Sequence, residues 1–153
     1  MGSRLDIRGI APRTYATMSR LSGESHAFGL EPLLLELVKT RASQINGCAF
    51  CVDMHTKDAR AAGEEEHRLH LLVAWREAET YSERERAALA LTEAVTRLGE
   101  GGVPDEVYAA AAELFSAEEL VGLIWAIVAI NAWNRIAITT RMEPGHYQPG
   151  GVE

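Results

Sequence analysis

An all-α fold follows from three features of the chain. Apolar residues recur at helical spacing over most of its length. Two stretches open with the reciprocal Ser-x-x-Glu pattern that caps a helix start, Ser82 with Glu85 and Ser116 with Glu119. Between the helical stretches no run of alternating β-branched residues is left from which a sheet could be built.

The first helix is expected over residues 12–21, with Pro12 near the first helical position, where a missing N–H does no harm, and Gly23 beyond the end. The second, 30–46, stops at Asn46 and Gly47, residue types that tolerate the left-handed conformation ending a helix. The third, 48–62, is closed by Gly63, and its link to the second is so short that the two form an antiparallel hairpin. A fourth helix is expected over 64–79, acid-rich at its start as the helix dipole favours, with Leu69, Leu72, Val73 and Trp75 on its apolar side. The fifth, 82–98, begins at its capping box and is broken by Gly99, Gly101 and Gly102. That glycine loop is no dinucleotide fingerprint, because no strand precedes it. A sixth helix covers 104–115 and a long seventh 116–140. The tail, 143–153, is rich in helix breakers and is expected to be extended or mobile unless a partner surface orders it.

From Leu120 to Ile130 the seventh helix is apolar nearly all round. A membrane span needs about 20 apolar residues, and Asn131, Asn134 and Arg135 interrupt this one, so a buried core helix is expected. A helix without a polar face must be covered on all sides, and self-association is the natural way to do it.

The chemistry is concentrated where the second helix gives way to the third. Cys48 and Cys51 are the only cysteines, and with His55 they fall at i, i+3 and i+7, on one side of a helix. Unpaired N–H groups at a helix start stabilise a thiolate, lowering a cysteine pKa from about 8.5 to roughly 3.5–7.5. Two cysteines at this spacing can close a small disulfide ring, so that one is oxidised and the other resolves the product. One turn beyond Cys51, His55 can take or give the proton. Glu36 lies among Leu34, Leu35, Leu37 and Val38. Shielding from water would raise its pKa towards a useful range, and the hairpin could carry it to His55. Taken alone, the same residue reads as a surface glutamate on a polar helix face.

Glu36 followed by the run from Gln44 through Cys48, Phe50, Cys51 and His55 to Ala59 resembles the core of the alkylhydroperoxidase AhpD and carboxymuconolactone decarboxylase superfamily. The likeness extends over about residues 12–140, and Ile130 to Arg135 is similar to the family's last helix. It implies one AhpD-like domain over 1–153, in which Glu36, Cys48, Cys51 and His55 match the family's proton relay. By this resemblance Cys51 is the peroxidatic cysteine and Cys48 the resolving one. The implied activity is thiol-dependent reduction of a small hydroperoxide, with an external dithiol or small redox protein as reductant and no haem or flavin. Homo-oligomers, trimers or hexamers, are implied as well. One position departs from the pattern: Phe50 stands where the best-studied AhpD proteins have a histidine, so a proton-shuttling or substrate-orienting contact is missing there.

Composition narrows the alternatives. The net charge is −7, from 22 acidic and 15 basic residues, which leaves no basic stripe for nucleic acid or an anionic membrane. No charged leader with a short apolar core opens the sequence, so a cytoplasmic location is expected, where a cysteine pair is more often catalytic or metal-binding than structural. Zinc could draw on Cys48, Cys51, His55 and Glu36, but structural zinc ligands usually converge from loops and turns, and no metal is expected. The cysteines could also be inert buried side chains. His67 and His70 share a helix face without further ligands and read as a solvated pair. Trp125 and Trp133 are expected in core or interface packing. Asn134 and Arg135 could line the thiol pocket, cap the helix or contact a second subunit, and by family analogy Tyr15 could border the pocket. Two other readings stay open: an enzyme of lactone chemistry like carboxymuconolactone decarboxylase, which does not need the cysteine pair, and a non-catalytic redox sensor.

Overall fold

The computed structural model describes residues 2–150, and helices account for nearly all its regular structure. They are α1 (Ile7–Ile10), α2 (Pro12–Glu24), α3 (Pro32–Asn46), α4 (Ala49–Ala61), α5 (Glu66–Leu71), α6 (Glu83–Thr96), α7 (Asp105–Leu114) and α8 (Ala117–Thr140), with 3-10 turns at Ser25–Phe28 and Leu72–Ala74. Among the described residues the only β-type pairing is an isolated bridge between Gly99 and Gly102.

The α3–α4 hairpin and both capping boxes form as the sequence leads one to expect. Ser82 Oγ accepts the Glu85 N–H while the Glu85 carboxylate accepts the Ser82 N–H, and Ser116 and Glu119 repeat the arrangement at α8. Two expected helices need correction, and one is added. The first helix runs through Gly23 to Glu24 and passes into the Ser25–Phe28 turn, so the left-handed stop is Gly29, at φ 78°. Ahead of it stands α1, started by Asp6, whose carboxylate accepts the Gly9 N–H at 2.9 Å. The fourth helix ends at Leu71 instead of continuing to residue 79. Tertiary bonds claim the backbone there: Arg86 of α6 donates to the carbonyls of Trp75, Arg76 and Ala78, and Trp75 turns inward to donate its Nε1–H to Glu93 at 2.8 Å.

At the centre lies α3, buried from Leu34 to Ser43 and packed against α4, α6 and α8. Leu34, Leu35 and Val38 join Leu91 of α6 with Leu123 and Ile127 of α8 in the main apolar cluster. Beyond α6, Leu37, Leu72, Trp75 and Leu89 form a second. Buried Arg41 donates to Glu93 at 2.8 Å, which satisfies two charges that would be costly alone.

By length and composition alone α8 could cross a membrane; in the fold it is a core helix, with Leu120, Leu123, Ile127, Ile130 and Asn134 buried. Its Gly122 sits so close to the Ser25–Phe28 turn that an added Cβ would lie 2.4 Å from Phe28 Cβ. One chain alone does not cover α8 all round. Val121, Trp125 and Val128, at i, i+4 and i+7, form an outward stripe, with Trp125 44% exposed. Trp125 is thus no core residue, whereas half-buried Trp133 packs edge-on against Tyr15, ring centroids 5.1 Å apart.

The tail forms no helix over its described residues, bends at Pro144 and Gly145, and is held by the chain's own α4. Asp53 accepts the Gly145 N–H at 3.0 Å, Lys57 donates to the Tyr147 carbonyl at 3.1 Å, and the Tyr147 hydroxyl donates to Asp58 at 2.7 Å. The last part of that expectation, 151–153, lies outside the described residues.

Candidate active site

The corner between α3 and α4 is made by Gly47, whose φ of 71° is the left-handed region that a side chain would resist. The Cys48 N–H then donates back to the Ser43 carbonyl at 3.0 Å, and α4 returns alongside α3. This puts Cys48 at the N-cap of α4, a place usually taken by Ser, Thr, Asp or Asn. Its sulfur accepts the Cys51 N–H at 3.3 Å. Cys51 follows one turn later, and both cysteines are only 1% exposed.

From α8 comes Asn134, fully buried. Its amide donates to Ser43 Oγ at 3.0 Å and accepts from Asn46 at 2.8 Å, and its side chain also reaches both sulfurs. The Cys51 thiol, together with the backbone and Asn134 donors, outweighs burial and lowers the Cys48 pKa to about 7. The Cys51 thiol is pushed up, because it donates a hydrogen bond to the Cys48 sulfur, is buried and is repelled by charge on that sulfur. Of the two sulfurs, the N-capping one is therefore the more readily ionised.

Glu36 and His55 meet as the hairpin allows, His55 Nδ1 lying 2.8 Å from Glu36 Oε2, both side chains buried. The other carboxylate oxygen, Oε1, accepts from Lys39 Nζ at 2.9 Å. The expectation of a raised Glu36 pKa is overturned. Burial does push it up, but the His55 hydrogen bond and the Lys39 charge prevail and hold it at about 2. Glu36 is a permanent carboxylate at neutral pH. It orients the imidazole with the proton on Nδ1, leaving Nε2 as the basic nitrogen.

A cavity of about 210 Å³ opens over this group. Cys51, His55, Lys39 and His26 supply its reactive and polar lining, and Tyr15, Phe50, Met54 and Trp133 its apolar walls. Cys48 does not line it. Tyr15 thus borders the pocket as family analogy suggested, and Phe50 presents a hydrocarbon wall beside the thiol. Lys39 and His26 are additions that sequence reasoning missed. The available signal for Lys39 was its position three residues after Glu36, on the same helix face.

Other candidates lie elsewhere. Arg135 is exposed and donates to Asn131. His67 and His70 are exposed beside Glu65 and Glu66. Ligand atoms of Glu36, His55 and Asp58 lie within 4.8 Å of one another, a different set from the cysteine-based one considered for zinc. In that set Lys39 and Tyr147 already donate to the two acids.

A profile of the carboxymuconolactone decarboxylase family matches residues 12–94. The chain is similar to the uncharacterized protein YdfG of Bacillus subtilis strain 168, with 43% identity over 138 residues, 90% of this chain and 94% of that one. Its structure is similar to that of a protein of unknown function from Agrobacterium tumefaciens described as a candidate AhpD antioxidant defence protein. The two share 40% identity and a TM-score of 0.90, over 95% of this chain and all of the other. The debrominase Bmp8 shares the fold at 20% identity, with a TM-score of 0.79 over 90% of this chain and 74% of that one.

Proposed function

Because this chain belongs to the carboxymuconolactone decarboxylase family and has an AhpD-like all-helical fold, we propose that it is a thiol-dependent hydroperoxide reductase. The observation that carries the reading is the convergence of Cys51 and the Glu36-oriented His55 on one cavity, with Cys48 held against Cys51 at the N-terminus of α4.

A low pKa by itself would favour Cys48 as the attacking sulfur, but Cys51 is the one that lines the cavity. His55 Nε2 takes the Cys51 thiol proton, and the thiolate attacks the terminal oxygen of the hydroperoxide. The O–O bond breaks, and the departing alkoxide takes the proton back from His55 and leaves as alcohol. Cys51 is now a sulfenic acid. The Cys48 thiolate attacks its sulfur and expels hydroxide, which takes a proton from solvent to become water, and a disulfide remains. An external dithiol restores the pair. One of its thiolates attacks Cys51, and Cys48 leaves as the thiolate that the Cys51 N–H stabilises; the second thiol then frees Cys51, so the dithiol departs oxidised. No step draws on haem or flavin. The outward stripe of Val121, Trp125 and Val128 supports self-association of the chain.

Steady-state consumption of a small organic hydroperoxide with dithiothreitol tests the assignment. Wild type should turn over repeatedly, unlike a sensor that oxidises once, and Cys51→Ser should have lost the activity. Retained turnover in that variant removes Cys51 from the nucleophile role.

A further inference from the structure

Neither Lys39 nor His26 belongs to the motif formed by Glu36, Cys48, Cys51 and His55, yet both line the Cys51 cavity. Lys39 is 8% exposed, and a buried ammonium is strongly unfavourable unless paired and hydrogen-bonded. Its ammonium donates to Glu36 Oε1 at 2.9 Å and lies 3.5 Å from His26 Nε2, on the 3-10 turn between α2 and α3. With an ammonium as donor, that nitrogen acts as acceptor and the His26 ring is neutral. We propose that Lys39, held by His26, is a positioning residue of the thiol relay: it fixes the Glu36 carboxylate that orients His55 and balances that carboxylate's charge, so that the imidazole remains available as a base for Cys51.

Two physical arguments support this assignment. A carboxylate held by one donor can swing about its stem, whereas Glu36 is held through both oxygens, Oε1 by Lys39 and Oε2 by His55. The second argument is charge. A lone buried carboxylate beside an imidazole favours the imidazolium and so removes the base, and a cation on its other oxygen weakens that pull. The charged and titratable groups around Lys39 are Glu36 on its own helix, His26 on the 3-10 turn, His55 and Asp58 on α4, with Asp58 engaged by Tyr147, and Cys51 on the cavity wall. Burial, then Lys39, lowers the His26 pKa against the opposing pull of Glu36, in keeping with a neutral acceptor.

In turnover this role rests on the hydroperoxide-reductase reading, but its test does not. The rate of Cys48–Cys51 disulfide formation is followed against pH with two oxidants, a small organic hydroperoxide and diamide, which joins thiols without peroxide chemistry. Lys39→Met should move the acid limb about one unit to higher pH, making the reaction about tenfold slower on that limb. Lys39→Arg should restore the wild-type limb. His26→Gln, which keeps an acceptor oxygen, should behave as wild type, and His26→Leu should shift the limb in the same direction as Lys39→Met. In a Glu36→Gln background Lys39→Met should add nothing, because it acts through that carboxylate. An unmoved limb in Lys39→Met, or an equal shift with and without Glu36, overturns the proposal. If Lys39→Met does not fold, the pair at exposed His26 decides: identical limbs for Leu and Gln overturn it. Shifted limbs with diamide in a protein that consumes no hydroperoxide uphold this inference while refuting the peroxidase reading.

Discussion

Replacing Glu36 by glutamine keeps the side chain's shape and removes its charge, and the effect can be worked out from the site. Its carboxyl has a pKa of about 2 in the fold against an ordinary value of 4.5. At about 1.4 kcal/mol per pKa unit, ionisation within the fold contributes roughly 3 kcal/mol of stability at neutral pH. Because the folded pKa is the lower one, this contribution is complete above the unfolded value of 4.5 and fades as pH falls towards 2. Roughly 2 kcal/mol of it is lost by about pH 3. Urea unfolding followed by tryptophan fluorescence should therefore find Glu36→Gln less stable than wild type by about 3 kcal/mol at neutral pH, with buried Lys39 left without its counter-charge. Towards pH 3 the gap should narrow by about 2 kcal/mol. A variant within about 0.5 kcal/mol of wild type at neutral pH, or a gap independent of pH, refutes the claim that Glu36 is a firmly ionised carboxylate held by Lys39 and His55.

Thiolate absorbance against pH in the reduced protein should show one thiol per chain ionising near pH 7 and the other staying protonated well above the ordinary cysteine range; two thiols titrating together at about 8.5 would remove the N-cap argument. Gly122→Ala tests the close approach of α8 to the turn at Phe28. Alanine in a helix ordinarily gains up to about 1 kcal/mol over glycine, but the collision with Phe28 should reverse the sign and destabilise the fold by about 1–3 kcal/mol. A variant more stable than wild type would show that the turn yields.

What the sequence made legible was local. Gly47, the cysteines and the short link encode the α3–α4 hairpin within a few residues, and each capping box needs only a serine and a glutamate three apart. The fourth helix was misread because its end is decided by Arg86 and Glu93, side chains on α6 that bind its backbone and Trp75. The site divides in the same way. Cys51 and His55 share α4 and Cys48 caps its start, so the spacing carries the placing of Cys51 and His55 on one cavity but not the turning of Cys48 away from it. The Glu36 pKa was misjudged since neighbouring leucines announce burial but not the lysine that answers it. Lys39 meets His26 only because the 3-10 turn, which the sequence did not announce, brings the ring to it. Asn134, eighty-odd residues from the cysteines, comes beside the thiols only through the packing of α8 on α3.

The measurement closest to the central claim is a thiol count by mass spectrometry on the reduced protein, before and after one equivalent of hydroperoxide, for wild type and for the Cys48→Ser and Cys51→Ser variants. Wild type should lose both thiols of one chain to an internal Cys48–Cys51 disulfide, Cys48→Ser should stop at a sulfenic acid on Cys51, and Cys51→Ser should stay reduced. Oxidation of Cys48 in the Cys51→Ser variant at the wild-type rate, or a wild-type chain that keeps both thiols, would contradict the account.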